Sequence, residues 1–93
     1  MFLGSYTFEG DPAQLVRAYE RMLAQMPEGD IGLHVCVVRE HGLLVLDSCP
    51  SREVFDEFTS SKGFAAAVAE AGLPHPRIVH LGEVHHAVLR AET

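Results

Sequence analysis

Apolar residues recur along this chain with two periods, and the order in which the periods alternate predicts the architecture. Phe2 to Phe8 alternates large and small side chains and includes Tyr6 and Thr7, which suits a strand ending at Glu9-Gly10. Asp11-Pro12 then supplies an N-cap followed by proline at the first helical position. Leu15, Val16, Tyr19, Met22, Leu23 and Met26 form one stripe at helical spacing, and Pro27-Glu28-Gly29-Asp30 ends it. A second strand spans Ile31 to Arg39, a turn follows around His41-Gly42, and a third strand covers Leu43 to Ser48. Ser51 caps the next helix, whose inner stripe is Val54, Phe55 and Phe58. Ser60-Ser61-Lys62-Gly63 interrupts it, and Phe64 to Ala71 forms a further helical segment closed by Gly72. After the rigid Pro74-His75-Pro76, residues Arg77 to Leu89 read as the last strand.

Strand, helix, hairpin, helix, strand is the order of the ferredoxin-like βαββαβ sandwich, an α+β fold with a four-stranded antiparallel sheet in the order 4-1-3-2 and helices on one face. In the strands Ile31–Val38 and Leu43–Leu46 neither alternate set is fully polar, so both faces carry apolar residues. A sheet with helices on one side needs only one apolar face, so the second must be covered, and the chain has no third layer to offer. A second copy is the expected cover.

Size and charge narrow the function. Ninety-three residues make a single domain, 1–93. The net charge of −6, one lysine (Lys62) and six scattered arginines leave no footprint for nucleic-acid phosphates. No apolar run approaches the ~20 residues that span a bilayer, and Met1-Phe2-Leu3-Gly4-Ser5 lacks the start of a signal peptide. A cytoplasmic location is expected, with Cys36 and Cys49 reduced. No phosphate loop, nucleophile elbow or dinucleotide fingerprint occurs, which disfavours nucleotide enzymes.

The hairpin groups the reactive side chains. With His41-Gly42 as the two loop residues, Glu40 pairs with Leu43, Val38 faces Val45, Cys36 faces Asp47 and His34 faces Cys49. Leu33, Val35, Val37, Leu44, Leu46 and Ser48 fall on the other side, an almost wholly aliphatic set expected beneath the helices. His34, Cys36, Val38, Val45, Asp47 and Cys49 are therefore expected on the open side, where a partner would enclose an apolar pocket with a few polar groups. Asp47 is the candidate general base and His34 its hydrogen-bonding or proton-relay partner. A mixed, filled dimer interface is the plainer reading of the same residues. No metal site is expected. His34, Cys36 and Cys49 are acceptable zinc or copper ligands, but no CxxC or HxxxH spacing appears, and neighbouring strands of a flat face rarely converge tetrahedrally. A Cys36–Cys49 disulfide is not expected either, since the pairing makes them diagonal neighbours. Tyr19 reads as packing, and Tyr6 lines one face or the other.

Gly42-Leu43-Leu44-Val45-Leu46-Asp47 running into Ser51-Arg52-Glu53-Val54-Phe55-Asp56-Glu57-Phe58, with Val84-His85 on the last strand, resembles the dimeric α+β barrel superfamily. That superfamily includes antibiotic-biosynthesis monooxygenases, muconolactone isomerases and many small uncharacterised bacterial proteins. The resemblance implies a homodimer whose sheets enclose a small, mostly apolar organic ligand. It also implies a role as a cofactor-free monooxygenase or isomerase, with His85 joining Asp47 and His34 near the chemistry. The alternative is a non-catalytic binding or structural dimer. Where those relatives often carry tryptophan this chain has Cys49, and it has no tryptophan at all, which counts against an oxygenase.

Overall fold

The computed structural model describes residues 1–25 and 32–90. The elements in chain order are β1 (Phe2–Glu9), α1 (Pro12–Gln25), β2 (His34–Arg39), β3 (Gly42–Cys49), α2 (Arg52–Thr59), α3 (Lys62–Ala71) and β4 (Arg77–Glu83). The sheet is antiparallel in the order β2-β3-β1-β4, which read from the far edge is the expected 4-1-3-2. The local signals act as their chemistry dictates. Asp11 Oδ2 accepts the Gln14 amide at 3.0 Å, Ser51 Oγ the Val54 amide at 3.2 Å, and Ser61 Oγ the Phe64 amide at 3.1 Å. Gly72 closes α3 at φ 85°, a left-handed conformation that glycine adopts without steric cost. Met26, the 27–30 breaker and Ile31 lie outside the described residues.

The core is aromatic. Phe2, Tyr6 and Phe8 of β1 and Leu43 and Val45 of β3 point to one side of the sheet, where they pack with Leu15, Tyr19, Phe55, Phe64 and Val68 of the helices. Phe55 is the hub, stacked near-parallel on Tyr6 at 5.7 Å between centroids and tilted against Phe2 at 5.6 Å. Its ring can come this close to the sheet because residue 4 is glycine: a Cβ there would stand 2.1 Å from Phe55 Cζ.

This packing overturns the expected assignment of faces. Asp47 and Cys49 share the side of Leu43 and Val45, and so lie beneath the helices. Leu3, Val35, Val37, Leu44, Leu46 and Val79 point the other way, onto an uncovered face. The physical reason is volume: the bulky rings of β1 need the deep space under the helices. The flat aliphatic set makes a smooth outer surface instead.

The turn also differs from expectation. Arg39 pairs with Gly42, so Glu40-His41 are the loop residues, and neither has positive φ. Gly42 is needed for close approach, because a Cβ would sit 2.2 Å from the Phe8 carbonyl oxygen of β1. The shift moves each partner by two positions, so every side chain keeps its face while His34 comes opposite Asp47 instead of Cys49. The last strand is shorter than expected. β4 ends at Glu83, Val84 donates its amide to the Met1 carbonyl at 2.8 Å, and residues 85–90 continue without regular structure.

Candidate functional site

Three side chains from three elements close one hydrogen-bond chain. The register of β2 on β3 sets His34 beside Asp47, and helix α1 carries Tyr19 across the sheet above them. His34 Nδ1 bonds to Asp47 Oδ1, and His34 Nε2 bonds to the Tyr19 hydroxyl, with the two ring planes parallel within 2°. A carboxylate only accepts, so the hydrogen is assigned to Nδ1; in the neutral imidazole Nε2 then accepts from the Tyr19 O–H. Asp47 is 2% exposed, whereas the His34 side chain is 30% exposed along the edge strand. The chain therefore has a buried carboxylate at one end and a buried phenol at the other, and His34 between them is the member nearest solvent.

The neighbours tune it. Burial, with Cys36 and Asp47 nearby, pushes the Tyr19 phenol up to about 12, so Tyr19 carries its proton at neutral pH. Cys36, next but one to His34 on β2, has its thiol pushed up by burial, and its contact with the Tyr19 hydroxyl offsets part of that. Tyr6 approaches Asp47 from the core side. Burial first, and then the Asp47 carboxylate, hold its phenol far above the usual value of 10. The Tyr6 hydroxyl closes no hydrogen bond of good geometry among the described residues, a buried polar atom that costs about 1–3 kcal/mol.

The expected site residues divide accordingly. His34, Asp47, Cys36 and Tyr6 come together with Tyr19, but under α1 and not on the open face. Val45 and Cys49 are core residues on the same side, and Val38 stands exposed near the end of β2. His85 does not join them: it lies beyond the end of β4, exposed. The last-strand histidine with partners is His80. Its Nε2 lies 2.6 Å from Asp56 Oδ1 and its Nδ1 3.3 Å from Arg52 Nη2, with Phe2 and Phe55 against its ring. Gly4 and the Phe55 ring separate this second His–Asp pair from the first. Cys36 and Cys49 form no disulfide; they pair with Val45 and Phe2 respectively, well apart along β3. Among the described residues, no three His, Cys, Asp or Glu side chains are placed to hold a metal ion. No described helix is long and apolar enough to cross a membrane.

Tyr19 is the residue that sequence reasoning left as packing. The signal was present: a tyrosine in a buried helical stripe needs a partner for its hydroxyl, and His34, Cys36 and Asp47 fall together on one face of the neighbouring strands.

No family model matches the chain, and no curated protein matches it by sequence. Solved structures do match it in fold. A protein of Deinococcus radiodurans, provisionally named an antibiotic biosynthesis monooxygenase, superposes with a TM-score of 0.64 at 11% identity, covering 99% of this chain and 100% of that one. SnoaB, a cofactor-independent oxygenase of Streptomyces nogalater, gives 0.57 at 17% identity over 97% of this chain and 95% of its own. A protein of Chloroflexus aurantiacus with the same provisional name as the first gives 0.53 at 14% identity, over 91% and 96%. The fold, an antiparallel four-stranded sheet with its helices on one side, is the one these three structures share, as the sequence resemblance implied.

Proposed function

We propose that the protein is a homodimer that binds a small, mostly apolar organic molecule beside α1 and β2, and that Tyr19, His34 and Asp47 remove a proton from it. The observation that carries this reading is the continuous Tyr19–His34–Asp47 chain with its carboxylate end buried. A substrate O–H or activated C–H gives its proton to the Tyr19 oxygen as Tyr19 passes its own to His34 Nε2. The product is an imidazolium held by Asp47. With its phenol pushed up to about 12, Tyr19 is suited to transmit a proton and not to hold negative charge. A stabilised carbanion or enolate formed this way leads to isomerisation by reprotonation, or to attack by dioxygen. The second course is the chemistry named for the structural neighbour SnoaB.

Dimerisation is supported by the open face. Four strands at ~4.8 Å spacing and ~20–25 Å length give roughly 500 Å² of flat area per copy. A facing pair therefore reaches the order of 1,000 Å² that a specific interface needs. Its β2–β3 half is aliphatic, with Leu44, Leu46, Val35 and Val37 side by side. The space between two such sheets would hold the copies together, and the polar chemistry would stay under each copy's helices.

The test uses a panel of small enolisable ketones and polycyclic phenols, following oxygen uptake and solvent-deuterium exchange. Wild type is expected to exchange the acidic position, and His34→Gln to lose ~10²–10⁴-fold, the usual weight of a general base. Equal rates in wild type and His34→Gln would overturn the catalytic reading. One observation favours the alternative, a non-catalytic dimer: Asp47 is so deeply packed that the same chain also ties α1 to the edge strand. In that case Asp47→Asn weakens folding and alters no reaction.

A further inference from the structure

We infer that assembly and the hydrogen-bond chain are coupled through strand β2: covering of its outer face by a second copy is what holds His34 in line between Asp47 and Tyr19. The inference rests on the dimeric reading above and adds the regulation of that site.

Edge strand β2 is the least protected element of the sheet. Five of its six residues are exposed, and Cys36 alone is partly buried. One side of its backbone pairs with β3, and the other side pairs with no strand among the described residues. Its side chains alternate in purpose. His34 and Cys36 point under α1 into the hydrogen-bond chain, while Val35 and Val37, at 36% and 40% exposure, point to the open face. An edge strand with so little buried apolar area sits at the low end of local stability, so it opens more readily than β1 or β3. Asp47 is fixed by the central strand β3 and Tyr19 by its buried place on α1, which leaves His34 as the member whose position depends on β2. A second copy of this chain fits the outer face. That face is aliphatic on β2 and β3, with Ser5 and Thr7 on β1 beside them, and is of adequate area; burying Val35 and Val37 against a second copy would anchor β2 between its neighbours. A site built this way is ordered only in the assembled protein.

The experiment compares two charge insertions on the open face at opposite edges of the sheet. Val37→Lys lies on β2 itself, and Val79→Lys on β4, across the width of the sheet from His34. Oligomeric state is read by sedimentation, and the chain by the His34 side-chain NMR signals and by exchange of the β2 amides that bond to β3. Both variants are expected to be monomeric, and in both the β2 amides should exchange at least about tenfold faster, with loss of the protected His34 Nδ1 proton. The wild-type protein diluted through its dissociation should show the same change, which keeps the test informative if a variant misfolds. A folded Val79→Lys monomer with His34 still protected would overturn the coupling, as would a wild-type monomer with an ordered chain. An assembled wild type with His34 protected and no exchange on any substrate would sink the catalytic reading while supporting the coupling.

Discussion

The two faces of this sheet are made by the same strands and do opposite things. The helix-covered face is aromatic and carries Tyr6, Tyr19, His34, Asp47 and a second pair, His80–Asp56. The open face carries Leu3, Leu44, Leu46, Val35, Val37 and Val79, with Ser5, Thr7 and Ser48 among them and Arg39 and Arg77 at one end. Most polar groups of the deep layer find a partner there: Asp47 finds His34 and His34 finds Tyr19, with the Tyr6 hydroxyl the exception. The outer layer keeps its apolar groups near water, which is tolerable for a surface that meets another of its kind. Greasiness alone therefore does not mark the inside of a fold this small; the volume of the side chains and the availability of hydrogen-bond partners decide.

The contrast can be broken at either face. The largest effect is expected from alkali. Both tyrosines are on the covered side, with folded-state values raised above the ordinary 10, Tyr19 to about 12 and Tyr6 further. Their stabilising contribution is complete below about pH 10, where the unfolded phenols are still neutral, and is lost as pH rises through about 12. Absorbance at 295 nm should show both phenols ionising together with unfolding, and ionisation of either at pH 10 with the fold intact would contradict this placement. Phe55→Ala is expected to cost about 3–5 kcal/mol in urea unfolding, as a large cavity opens against Gly4 and Tyr6. Gly4→Ala should cost about 1–3 kcal/mol, because its Cβ would displace the Phe55 ring. Asp47→Asn should fall in the same range or below, about 1–2 kcal/mol, as a charge-assisted hydrogen bond to His34 is weakened. The smallest effect belongs to the open face: Val37→Ala should change monomer stability by less than about 0.5 kcal/mol. Its consequence should appear in the concentration at which the copies separate.

Much of this was legible in the chain, for reasons that can be named. Asp11-Pro12, Ser51 and Gly72 act through local chemistry that no tertiary contact overrides, so element order and sheet topology followed from them. The strict period of two put His34, Cys36, Asp47 and Cys49 on one face, and a turn displaced by one residue, which moves each partner by two, left that grouping intact. What could not be read was which face the helices take, because both are apolar and the deciding factor is the fit of Phe2, Tyr6 and Phe8 against Phe55. Gly42 misled in the same way. Its lack of a side chain serves the crossing with β1, a contact between distant segments, and not the turn beside it. His85 was placed on a strand that the described structure ends at Glu83.

The most direct test is nitrogen-15 NMR of the histidine side chains in the wild-type protein near neutral pH. The expected result is a His34 ring protonated at Nδ1, with that proton slow to exchange, and with Nε2 accepting a hydrogen bond that disappears in Tyr19→Phe. A His34 ring in the opposite tautomer, exchanging freely and indifferent to Tyr19→Phe and Asp47→Asn, would contradict the hydrogen-bond chain and the function built on it.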